Sequence, residues 1–170
     1  MAATEHDRPK LMVFPPLLLL ATIALAAVLQ WLWPLGVLGG LGQRWRIPVG
    51  AALMLLGIVL TALGARTLVR RGTNVNPLRP ALALATGGIF RWSRNPMYVA
   101  GGPLMLGLAI AFGIDWLLVL MIPSGLLLHF GIVRREERYL TGKFGEEYRR
   151  YCAAVPRYVP GVAPGHHQQT

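Results

Sequence analysis

Hydrophobic and polar positions fall into long blocks along this chain and do not alternate over short distances. Leu11–Gln43 runs 33 residues without a charge, Ile47–Ala65 runs 19, and Asn95–Val133 runs 39 with only Asp115 interrupting it. A helix that crosses a bilayer needs roughly 20 predominantly apolar residues. The blocks therefore predict four spans, at about 15–38, 47–67, 96–113 and 116–133. Little more than Phe112–Trp116 separates the last two, so they should form a tight helical hairpin with Asp115 and Trp116 at the far interface, where an indole is at home. Pro103 and Pro123 sit inside these spans and are expected to kink them. The first block is too long for a cleaved signal peptide, and no clean small-residue cleavage site follows it.

From Arg134 the pattern changes. Leu140, Phe144, Tyr148, Tyr151 and Val155 recur at helical spacing with charges between them, which predicts an amphipathic helix over 134–155, weakened near Gly142 and Gly145. Such a helix can lie on the membrane or fold over the bundle. Gly50, Gly57 and Gly64 recur every seven residues in the second span, a stripe that lets a neighbouring helix approach closely. The expected fold class is an all-α integral membrane protein: one domain over 1–160, then a disordered tail, 161–170, that holds His166 and His167.

Composition agrees, with 54% hydrophobic and only 14% charged residues. The net charge of +10 alone would suggest a nucleic-acid partner. Its distribution argues otherwise. With four spans, 15 of the 17 Lys and Arg residues fall on one side; Arg44 and Arg46 are the other two. The positive-inside rule then makes both termini cytoplasmic, in an inner or plasma membrane, and accounts for the charge without nucleic acid. The single cysteine, Cys152, excludes an internal disulfide and a cysteine-based metal site.

Two polar clusters border the apolar blocks on that same side: "RWSRNPMYVAGG" (91–102) and "VRREERYL" (133–140). The hairpin brings them together. Pro96 is explained as a first helical residue, where its missing N–H costs nothing, but Asn95, Tyr98 and the adjacent acids Glu136 and Glu137 are not. Carboxylates, guanidiniums and aromatics in one patch suit a zwitterionic sulfonium cofactor: an acid for its ammonium, donors for its carboxylate and aromatic faces for its cation. His129, one turn inside the fourth span, is a candidate general base for an amine or thiol acceptor, since intramembrane ionisable residues are functional candidates. A carboxylate acceptor would need no base.

Arg94-Asn95-Pro96-Met97-Tyr98, followed by Glu136, Glu137, Leu140, Phe144, Gly145, Tyr148 and Tyr151, resembles the isoprenylcysteine carboxyl methyltransferase and phospholipid methyltransferase superfamily, whose hallmark is R-H-P-x-Y and then E-E-x-x-L-x-x-x-F-G-x-x-Y-x-x-Y. The resemblance spans about residues 66–160. It implies a membrane enzyme that uses S-adenosylmethionine without a Rossmann domain, in a cytoplasm-facing pocket closed by the C-terminal helix. Carried over by register, it implies cofactor contacts at Leu82, Ala83, Leu84, Ala85, Phe90, Asn95, Pro96, Met97, Tyr98 and Glu136, with Glu137 in support. Two positions depart from the pattern. Asn95 replaces the usual His and cannot titrate near neutral pH. Ile132 replaces an Arg, one turn before the acid pair, that would meet a substrate carboxylate in isoprenylcysteine enzymes, leaving Arg134 or Arg135 to orient the acceptor. The expected acceptor is lipophilic: an isoprenylcysteine-type carboxylate or related lipid first, with phosphatidylethanolamine or a small thiol as alternatives. A sterol-type reductase using a nicotinamide cofactor would want a longer chain, and a non-enzymatic assembly protein would leave Glu136 and Asn95 without a role.

The charge asymmetry carries the first prediction. A reporter active only in the cytoplasm should be active when fused after Thr170 and silent when inserted near Arg44; a silent C-terminal fusion overturns the topology.

Overall fold

The computed structural model describes residues 11–159. Arg8, Lys10, His166, His167 and the tail from 161 lie outside the described residues. The described chain is helical, with no strand. It consists of α1 (Pro15–Leu32), α2 (Gln43–Arg70), α3 (Pro96–Phe112), α4 (Asp115–Leu127) and α5 (Arg134–Ala154), with a π-helical turn, Leu128–Val133, joining the last two. Three helices are long and apolar enough to cross a membrane: α1, α2 and the continuous Asp115–Ala154; α3 is a shorter apolar helix. This is an all-α membrane protein.

Helix ends follow local chemistry. α1 stops at Leu32, short of 38, because Pro34 disfavours helical backbone at the residue before it and cannot donate to a further turn. The chain from there to Gly42 is pinned by Asp115, which accepts the N–H groups of Gly36 (2.9 Å) and Leu38 (2.7 Å) and the Gln30 amide (3.3 Å). Asp115 is thus buried in hydrogen bonds, while Trp116 Nε1 donates to the Trp33 carbonyl at 2.7 Å. α2 outruns its apolar core at both ends: Arg46 and Arg66 lie about 30 Å apart along its axis at 1.5 Å per residue, close to the thickness of a bilayer's hydrocarbon core. Gly113, in the left-handed region at φ 68°, caps α3 and starts the two-residue turn into α4. α3 continues through Pro103 and α4 through Pro123.

The helices pack in the order α2, α3, α4, α1. The α2–α3 contact is the tightest. Gly50, Gly57 and Gly64 are the buried residues of α2 and face α3. A Cβ at Gly57 would stand 2.8 Å from the Ala100 carbonyl oxygen and from Leu104 Cβ; one at Gly50 would stand 2.7 Å from Gly107 O and Ala111 Cβ. On the other side, Thr22 and Ser124 share a hydroxyl hydrogen bond of 2.7 Å between α1 and α4, above a core of Ala26, Leu38, Met105, Ala109 and Leu117.

At Gly50 and Gly57 backbone atoms of α3 leave no room to relax. Gly57→Ala should cost about 1–3 kcal/mol through overpacking, although alanine favours the helix. Gly125→Ala, with nothing within 4 Å of its added carbon, should stabilise by up to about 1 kcal/mol. Thermal unfolding in detergent measures both.

Candidate functional site

The site is assembled where α5 folds back over the start of α3. Gly145, at φ 53° and ψ −122°, breaks the helical backbone inside α5, a conformation that glycine adopts at little cost. Beyond it Tyr148 and Tyr151 are buried against Ala85 and Phe90, with Leu140 and Phe144 alongside. Tyr151 Oη donates to the Phe90 carbonyl at 2.7 Å. Burial holds both phenols above their ordinary pKa, so they remain neutral donors. Of the two placements open to the amphipathic helix, it folds over the bundle.

A strap, residues 155–159, continues from α5 across the same face. The Pro156 carbonyl accepts the Arg94 N–H at 2.9 Å. The Arg157 carbonyl accepts Ser93 Oγ and Asn95 Nδ2, both at 3.2 Å. Asn95, buried, therefore spends its amide on backbone. Glu137 ties strap and loop together: it meets Arg94 NH1 at 3.2 Å and receives Arg157 Nε and NH2 at 3.0 and 2.8 Å. The Arg94 and Glu137 side chains are only 10% and 12% exposed. Arg94 also donates to Cys152 Sγ at 2.6 Å.

Beneath this lid lies a cavity of about 1130 Å³, larger than the roughly 300–1,000 Å³ of ordinary small-molecule sites. Its walls differ in character. Near α5 they carry Asn95, Tyr98, Glu136, Tyr139, Tyr148 and Tyr151; within the bundle they carry Leu18, Leu19, Leu104, Met105 and Met121. Glu136 accepts the Tyr98 hydroxyl at 2.8 Å. Burial raises its pKa and the Glu137 charge adds to this, while the Tyr98 hydrogen bond acts the other way. Two adjacent carboxylates thus differ: Glu137 is held by arginines, and Glu136 faces the cavity with a neutral donor.

A model of the phospholipid methyltransferase family matches residues 45–147, more than half of the chain. The chain belongs to the phospholipid methyltransferase family. It is a membrane methyltransferase in that general sense. A search of curated proteins finds no match. The family segment runs from α2 into α5 and covers both polar clusters; α1 and the strap lie outside it.

Of the residues singled out in the sequence, Ala83, Leu84, Ala85, Phe90, Asn95, Pro96, Met97, Tyr98, His129 and Glu136 line the cavity. Leu82 does not: its side chain is exposed and its N–H goes to Thr73 Oγ1 at 2.9 Å. Glu137 lies behind the wall in its ion pairs. Arg134 is exposed and stacks on Phe130 at 5.8 Å, and neither it nor Arg135 lines the cavity. Sequence reasoning missed Tyr139, which accepts the Ala81 N–H at 3.1 Å, and gave no role to Arg94, Arg157 or Tyr158. The last two follow a helix end, where no periodicity marks a side chain as inward.

Removing one partner of a buried pair strands the other. Glu137→Gln should destabilise by about 3–5 kcal/mol, read by thermal unfolding. Glu146→Gln, whose pair with Arg149 is about two-thirds exposed, should change stability by under about 1 kcal/mol.

Proposed function

We propose that this methyltransferase takes its methyl group from S-adenosylmethionine and gives it to the amine of a membrane phospholipid. The observation that carries the reading is one cavity that joins an acid-and-phenol wall at one end to an apolar wall reaching between the helices at the other. When bound, the cofactor supplies an electrophilic methyl on a sulfonium. Glu136 is suited to its ammonium: a carboxylate whose burial is unfavourable gains from a cation. Tyr98 fixes the orientation of that carboxylate. Phe90, Tyr148 and Tyr151 offer aromatic wall, and the folded-over α5 keeps water from the reacting centre. Catalysis then rests on positioning two reactants in one water-poor space.

The acceptor reading turns on the position that Ile132 fills and on the family match. A prenylcysteine carboxylate needs a guanidinium. Ile132, at the position where isoprenylcysteine enzymes are expected to carry Arg, is fully buried; Arg134 and Arg135 do not line the cavity, and of the two guanidiniums that do, Arg94 is paired with Glu137 and Arg79 comes from the loop before α3. The family match supports the same choice. On these grounds we put a phospholipid amine ahead of the isoprenylcysteine-type carboxylate placed first from sequence. The active site and both termini face the cytoplasm by charge asymmetry. Methyl transfer from labelled cofactor to vesicles of phosphatidylethanolamine, but not to a prenylcysteine, tests the acceptor.

Cofactor binding is tested separately by calorimetry with S-adenosylhomocysteine, which keeps the ammonium. A charge-assisted hydrogen bond is worth about 1.5–3 kcal/mol, so Glu136→Gln should weaken binding about ten- to a hundredfold, with Glu146→Gln unchanged. The raised Glu136 pKa sets the pH dependence. At low pH the empty site holds a neutral carboxyl, and the ligand's ammonium needs the carboxylate. Affinity should rise with pH through that raised pKa and then level, with net proton release detected in buffers of different ionisation enthalpy. Equal affinities for wild type and both variants would remove Glu136 from the site.

A further inference from the structure

The π-helical turn Leu128–Val133 carries a second group on the cavity wall. His129 Nδ1 lies 2.7 Å from Tyr158 Oη, with the two rings 5.9 Å apart between centroids. Both residues line the cavity. His129 comes from the family segment, and Tyr158 comes from the strap beyond it. Isolated π-helical turns inside α-helices recur at functional sites because they displace a side chain from its regular register. Here the turn lies between α4, which lines the apolar half, and α5, which brings Glu136. The strap that delivers Tyr158 is fixed by Arg157 on Glu137. Imidazole is the side chain whose charge changes near neutral pH, and His129 is the cavity's histidine.

We propose that His129 is the proton acceptor for the lipid amine and that Tyr158 is the positioning residue that selects its tautomer. This rests on the phospholipid-amine reading above. With Nδ1–H donating to Tyr158 Oη, the lone pair resides on Nε2. An ammonium headgroup gives its proton to Nε2. The freed nitrogen lone pair forms the new bond to the methyl carbon, and the carbon–sulfur bond breaks with its electron pair going to sulfur. The imidazolium later releases its proton to solvent. The charged and titratable groups around the pair are Arg157, Glu137, Arg94 and Tyr98 near Tyr158, and Glu136, which accepts the Tyr98 hydroxyl. α1 carries no charged residue, and the acid of α4, Asp115, lies at that helix's other end.

Three measurements on the full chain test this. With phosphatidylethanolamine vesicles and saturating cofactor, His129→Gln should lower kcat about 10²- to 10⁴-fold. S-adenosylhomocysteine affinity should stay within about twofold in this variant. In protein whose other histidines (His6, His166 and His167) are replaced by Asn, ring-labelled His129 should give the NMR signature of the Nδ1–H tautomer. Tyr158→Phe should abolish that signature and lower kcat at unchanged S-adenosylhomocysteine affinity. An unaltered kcat in His129→Gln, with ligand affinity intact, overturns the proposal and leaves the methyltransferase reading standing. An Nε2–H tautomer in the parent protein overturns the role of Tyr158. Loss of ligand binding in the unmodified protein would instead count against the cofactor reading.

Discussion

The arrangement at Glu137 is the constraint on which the rest of the site depends. A carboxylate almost out of water must be paired, since leaving it alone costs several kcal/mol. It is paired with two arginines from different places: Arg94, before α3, and Arg157, after α5. The pairing therefore works as a latch. It fixes the C-terminal strap over the loop that opens α3, and the backbone hydrogen bonds from Arg94, Ser93 and Asn95 complete the seam. Without that seam Tyr158 would have no reason to lie on the cavity wall, and α5 would be held over the bundle mainly by the packing of Leu140, Phe144, Tyr148 and Tyr151.

Glu136 and Glu137 show how one residue of helical rotation separates two chemistries. Neighbours on a helix point about 100° apart, so the second acid turns toward the arginines and the first toward the cavity. Glu137 becomes structure. Glu136, partly buried beside that charge, has a raised pKa and faces the cavity.

The two halves of the helix row do opposite things. α2 and α3 meet backbone to backbone through glycines, which excludes ligand volume there. α1 and α4 keep larger side chains and a hydroxyl pair, and the cavity extends toward them. Rigid packing on one side and space on the other place the cavity beside α3, at whose N-terminal end Asn95 and Tyr98 lie.

The sequence by itself determined the parts that depend on composition and local spacing. Uninterrupted apolar blocks must avoid water, so they became helices, and the short Phe112–Trp116 link left an antiparallel hairpin as the way to join two of them. The seven-residue glycine spacing marked the α2 face that packs, because that period keeps positions on one stripe. The two polar clusters came together because a hairpin returns its ends to one face. What the sequence left open needed distances between residues far apart in the chain. Whether α5 lay on lipid or on protein was decided by Tyr148 and Tyr151 meeting Ala85 and Phe90, a contact across some sixty residues. Which glutamate faced the cavity, that Leu82 pointed away, and that Arg157 and Tyr158 belonged to the site had the same origin. Periodicity encodes which side of an element is apolar. The partner of a buried charge is fixed only when the folded chain brings one within hydrogen-bond reach.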